Sequence, residues 1–251
     1  MGNTPIGTTE TSRDQDHPVA RLILLVGILT VFVYVAVALN RYPDILIMYA
    51  SESVVFLSAL TFLMIGYTWV AVRRTRTRSE AEAYALRQGL WGGLVVGILW
   101  IIEIWMGNLA NPQSEIAEFV VHLVYRLCIV AVPLVTLFTT FRATQRTGQI
   151  SSGVWVGLWS GVLSALMVFG TFVVLTYVFP QASQTDPQTL YQFARSGFTD
   201  FAAFTLADAL VAMISHLWIG PVLGLLFGAL GSILGRGFMP GYHQRIVEPR
   251  G

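Results

Sequence analysis

Lysine is absent from this chain, and cysteine occurs once. The single cysteine, Cys128, excludes an intramolecular disulfide, and inside an apolar run it reads as a small core residue rather than a nucleophile. All 15 positive charges are arginine, and charged residues make up only 12% of the 251. A soluble domain of this size carries about a quarter. With 55% hydrophobic residues and a mean hydropathy of +0.65, the scarcity of charge excludes an ordinary soluble fold. A net charge of +1 gives no electrostatic footprint for nucleic acid. Catalytic motifs are missing too: there is no H-E-x-x-H, no G-x-S-x-G, no P-loop and no Cys–His zinc spacing. No catalytic residue, metal or cofactor is expected. An intramembrane enzyme using Glu103, His122 or Asp208 is the outlying alternative.

What the chain does have is long apolar runs. A helix that crosses a bilayer needs about 20 mainly apolar residues. Six segments qualify, at roughly 20–39, 47–72, 84–107, 117–141, 153–179 and 203–235. Ser51, Glu52 and Ser53 interrupt the second, which then starts near Ser53 after a short interfacial piece from Asp44 to Ala50. The last is too long for a simple crossing, so it must tilt, bend or project. The expected fold is all-α: a polytopic bundle of six transmembrane helices in a single integral membrane domain over residues 1–251. Residues 1–19 and 236–251 are its cytoplasmic tails, which hold His17 and His243 in solvent.

Arginine placement sets the orientation, because basic loops stay in the cytoplasm. Arg13 and Arg21 precede the first segment, and Arg73, Arg74, Arg76, Arg78 and Arg87 lie between the second and third. Arg142 and Arg146 lie between the fourth and fifth, and Arg236, Arg245 and Arg250 follow the sixth. Only Arg41 and Arg195 fall on the other side, and Arg126 is inside a segment. The split predicts both termini in the cytoplasm of a cell membrane, as in a bacterial inner membrane. Ala36-Val37-Ala38 resembles a signal-peptidase site. The run before it is longer than a usual signal core, however, and the residues ahead of that run are acidic, so an uncleaved helix is expected.

Two loops carry helix starts. Ser79-Glu80-Ala81-Glu82 reads as a capping box. Asp186-Pro187 opens an amphipathic helix over 188–200 with Leu190, Phe193, Gly197 and Phe201 on one side, suited to the outer membrane surface.

Glycine recurs every fourth residue in three segments. The ladders are Gly89, Gly93 and Gly97; Gly153, Gly157 and Gly161; and Gly220, Gly224 and Gly228, continued by Gly231 and Gly235. Such spacing, a glycine zipper, bares one strip of a helix so that a second backbone can approach and pack by van der Waals contact. The third and fifth segments share G-x-W-x-G-L-x-x-G, and a weaker Pro-led echo links Pro133 with Pro221. A parallel duplication of helix pairs 3–4 and 5–6 is therefore expected, with chance similarity among apolar runs as the alternative. Trp91, Trp155 and Trp159 fit a cytoplasmic aromatic belt, and Trp105 and Tyr177 an outer one. Trp100 and Trp218 lie deeper, where packing is the simpler role.

Topology puts all three ladders in the cytoplasmic half. Glu103, Glu118, His122, Arg126, Asp208 and His216 all fall in the outer half. Charges there would cost several kcal/mol each if they faced lipid. Helices pressed together inside and splayed outside, with Pro133 and Pro221 near the join, predict a funnel open outward. Glu118, His122 and Arg126 form a stripe at four-residue spacing, and Glu103 on the antiparallel neighbour is the expected partner of Arg126, either as a fixed pair or as a gate. Asp208 and His216 border the same cavity, where His216 either packs through hydrogen bonds or relays protons. Haem ligation by His122 and His216 is disfavoured, since their depths differ by about two turns. Two functions compete. One is a carrier of a small solute or ion. The other is a non-transporting subunit or receptor-like module whose glycine faces meet a membrane-protein partner or a second copy. The bilayer itself is the one partner common to both.

Overall fold

Apolar runs of this length form helices in lipid because only a helix satisfies every backbone group within its own segment. A computed structural model describes residues 15–43, 45, 50–77, 79–109, 114–179 and 187–238. Its helices are α1 (Pro18–Arg41), α2 (Ala50–Arg73), α3 (Glu80–Leu109), α4 (Glu115–Thr147), α5 (Ile150–Val178), α6 (Pro187–Ser196) and α7 (Phe201–Gly237). A two-residue antiparallel bridge joins β1 (Gln15–Asp16) to β2 (Arg76–Thr77). The architecture is an all-α bundle.

Five helices are long and apolar enough to cross a membrane: Pro18–Arg41, Glu80–Gly107, Glu115–Thr147, Ile150–Val178 and Phe201–Gly237. That is one fewer than the six segments expected. The difference is α2, which is helical for 24 residues but whose apolar stretch is the shorter Leu57–Arg73. Of the piece from Asp44 to Ala50 only Ile45 and Ala50 are described, and most of both tails and His243 lie outside the described residues. The last helix runs unbroken for 37 residues through Pro221, about 55 Å at 1.5 Å per residue, so it extends well beyond a hydrocarbon core of about 30 Å.

Local chemistry sets the boundaries. The Glu82 amide donates to Ser79 Oγ at 3.2 Å, and α3 begins at Glu80. Ser114, not singled out from sequence, caps α4 by accepting from the Ala117 amide at 3.3 Å. Gly148 ends α4 in the left-handed region at φ 71°. The helix expected over 188–200 stops at Ser196. Gly197 turns the chain at φ 80°, and Asp200 serves instead as the cap of α7, accepting from the Ala202 amide at 2.8 Å. The short helix is held by Phe193, whose ring meets Phe201 at 5.1 Å and Phe204 at 5.6 Å.

Six helix ends meet at one arginine-bearing end. The His17 amide donates to the Thr75 carbonyl at 3.3 Å, and Arg21 Nε donates to the Thr75 hydroxyl at 3.1 Å. Arg146 lies 4.4 Å above the Tyr84 ring and Arg74 lies 4.3 Å above Trp155. Arg236 donates to the Gly148 carbonyl.

Inside the bundle α5 is central. Half of its apolar window is buried, against 17% for α4. The backbones of α5 and α7 touch: a Cβ on Gly157 would overlap the Gly224 carbonyl and fall 2.8 Å from the Gly228 Cα. A Cβ on Gly161 would lie 2.9 Å from the Pro221 Cα, and one on Gly220 would overlap Ala165. Gly153 sits against Ser232, Thr144 and Thr140. On its other side α5 receives α3, where a Cβ on Gly93 would fall 3.0 Å from the Ser160 carbonyl, Gly89 faces Trp159 and Gly97 faces Met167. Gly231 and Gly235 turn to α4, where an added Cβ would fall 2.6 Å from the Leu137 carbonyl and 2.7 Å from that of Phe141. Trp159 therefore belongs to the core, at 2% exposure, not to an interfacial belt.

Candidate functional site

The polar side chains of the half remote from the arginines separate into two groups. The first joins α3, α4 and α7. Glu103, late on α3, faces the Tyr125 hydroxyl of α4 and, across from it, the His216 ring of α7. Cys128, one turn along α4 from Tyr125, is buried within the electrostatic reach of the same carboxylate. His216 is walled by aromatic rings: Trp100 of α3 edge-on at 5.6 Å and Phe172 of α5 at 5.5 Å. Its Nδ1 donates to the Ala212 carbonyl at 2.8 Å. A carbonyl accepts only from N–H, so the bond assigns the proton of the neutral ring to Nδ1 and leaves the Nε2 lone pair available. Four helices thus place a carboxylate, a phenol and an imidazole within an aromatic wall. That set can hold a small cation or a hydrogen-bond donor, or pass a proton between acid and base.

The second group is exterior. Glu115, Glu118, His122 and Arg126 line an open recess of about 400 Å³ along one face of α4, together with Phe119 and Leu123. Glu118 and His122 approach to 3.8 Å with both side chains more than 60% exposed, so the pair contributes little to stability. Arg126 is exposed and, among the described residues, makes no ion pair. The expected Glu103–Arg126 pair is not formed. Helix geometry explains this. Steps of four overshoot the 3.6-residue turn by about 40° each, so the stripe drifts about 80° from Glu118 to Arg126. Tyr125, about 100° from Arg126 around the helix, is the side chain that meets Glu103 instead. Asp208 is exposed on α7 and does not join His216; among the described residues it has no hydrogen-bond or ion-pair partner.

The sequence pattern pairs Glu103 with Arg126 and His216 with Asp208, whereas Glu103 meets Tyr125 and His216. Trp100 was read as packing, and Phe172 carried no polar signal that would have drawn attention to it. Among the described residues, no group of three His, Cys, Asp or Glu side chains is placed to hold a metal ion. No family model matches the chain, and neither curated proteins nor solved structures give a match to it.

Proposed function

We propose that this multi-pass membrane protein is a carrier of a small solute or ion, which it takes at the Glu103–Tyr125–His216 cluster. The observation that carries the reading is the division of the bundle into two unlike halves. At the arginine-bearing end, glycine faces bring α3, α4, α5 and α7 into backbone contact as a glycine zipper. The other half of the same helices carries the ionisable groups. A closed base beneath a polar, aromatic-walled cluster is one state of an alternating-access device. In this reading α2 also crosses, giving six transmembrane helices in one domain over 1–251. The arginine-bearing end and both termini face the cytoplasm of a cell membrane, and the polar half faces outward. The pairs α3–α4 and α5–α7 are parallel duplicates related by G-x-W-x-G-L-x-x-G. The protein is not an enzyme.

A second reading has its own observation. α4 is the least buried of the candidate crossings, and its recess presents Glu118, His122 and Arg126 with nothing among the described residues packed over them. In lipid such groups need a cover, and a helix of a partner protein or a second copy would supply it. One experiment separates the two. The chain is purified in mild detergent, its companions are identified, and it is then placed in liposomes for flux measurements with panels of monovalent ions, protons and small organic ions. The carrier reading expects flux by the isolated chain that falls about tenfold or more in Glu103→Gln and His216→Gln, with Arg126→Gln much less affected. Absence of flux across the panels, with a companion that Arg126→Gln releases, overturns it in favour of the second.

A further inference from the structure

At the arginine-bearing end, away from the Glu103 cluster, a pocket of about 650 Å³ opens between the end of α2, β2 and the first turns of α3 and α5. Its walls carry three guanidinium groups, Arg73, Arg74 and Arg76, against one carboxylate, Glu82. We infer that this pocket binds a phosphate group at the membrane surface.

Three further features converge on that chemistry. Arg74 stacks over Trp155 at 4.3 Å and beside Trp69 at 5.6 Å. Face-on stacking orients a planar guanidinium and leaves its in-plane N–H fork for a bidentate oxyanion. α5 begins at the pocket, where Gln149 gives no side-chain cap, so the positive end of the helix is uncompensated by its own chain. Ser152 lines the same pocket from that first turn. It is 4% exposed, and among the described residues its hydroxyl has no hydrogen-bond partner. A hydroxyl in that position can donate to an incoming oxygen. Three guanidinium groups, an open helix start, a pocket-lining hydroxyl and a tryptophan wall together fit a phosphate monoester or diester. Its source is either an anionic lipid headgroup or a soluble phosphate compound. The proposal does not depend on the carrier reading.

The test follows tryptophan fluorescence of the full chain. In neutral detergent it is titrated with inorganic phosphate. In nanodiscs, phosphatidylglycerol is compared with phosphatidylcholine at equal density. Saturation by inorganic phosphate assigns the site to soluble phosphate groups, and a response to phosphatidylglycerol alone assigns it to lipid headgroups. In either case Arg74→Gln and Arg73→Gln should weaken binding about tenfold, the loss of one charge-assisted contact. Arg142→Gln, at the same end but outside the pocket, should leave binding unchanged. Both pocket arginines are exposed, so their variants fold, and an unchanged melting curve checks this. The proposal is overturned if phosphate gives no saturation and the two lipids behave alike. It is also overturned if Arg142→Gln weakens binding as much as Arg74→Gln, because the effect would then be general surface charge.

Discussion

At the scale of single residues, the clearest repair in the bundle surrounds Pro221. A proline inside a helix removes the amide that would bond the carbonyl four residues earlier, and here that carbonyl belongs to Leu217. The buried Tyr67 of α2 donates its hydroxyl to the Leu217 oxygen at 2.7 Å. One side chain therefore satisfies the orphaned acceptor and ties α2 to α7. Tyr67→Phe should lower stability by about 1 kcal/mol, as expected for a lost buried hydrogen bond in a membrane bundle. Pro221→Ala restores the amide, so Tyr67→Phe should cost measurably less in that background. A double-mutant cycle by unfolding in mixed micelles measures the coupling, and strictly additive effects would refute the assignment. The sequence marked Pro221 as a kink site, but the donor that answers it comes from another helix, 150 residues away. No local pattern encodes that distance.

At the scale of helices, glycines inside and outside the ladders meet different surroundings. Gly157 lies against the α7 backbone, whereas Gly66 and Gly170 have nothing within 4 Å of where a Cβ would stand. Gly157→Ala should destabilise by about 1–3 kcal/mol through overpacking, because the overlapped atoms are a carbonyl and a Cα that cannot swing aside. Gly66→Ala should instead be neutral or stabilise by up to about 1 kcal/mol, since alanine favours the helix and meets nothing. Thermal unfolding of the purified variants reads both signs, and equal effects at the two sites would remove the packing argument. The sequence showed that strips of glycine exist and which segments carry them, because spacing along a helix is legible. It also showed helix starts at Ser79 and Asp186-Pro187. It did not show how far each helix turns about its own axis. That rotation is set by packing, and it decides that Tyr125 rather than Arg126 meets Glu103, and that Trp159 is core.

At the scale of the whole molecule, the question is whether α2 crosses the membrane, since that decides on which sides the two ends of the chain emerge. Several features suit α2 to lipid despite its short apolar stretch. Phe62 and Ile65 are exposed large hydrophobics on its outer face. The hydroxyls of Thr61 and Thr68 are bonded back to the Leu57 and Met64 carbonyls at 2.8 Å each, so they present no bare polar group to hydrocarbon. Its far end returns to the start of α1 through the β1–β2 bridge, while Tyr67 holds its middle against α7. In the proposed arrangement α2 returns to the arginine-bearing end from the opposite one and so crosses. Six crossings then put both chain ends on one side, and five would put them on opposite sides. Reporter fusions distinguish these parities. A fluorescent protein at either terminus should be bright, and alkaline phosphatase at either should be inactive, as for a cytoplasmic position. Phosphatase inserted between α3 and α4 should be active. An active phosphatase at one terminus alone would establish odd parity, and α2 would then lie along the surface instead of through the bilayer.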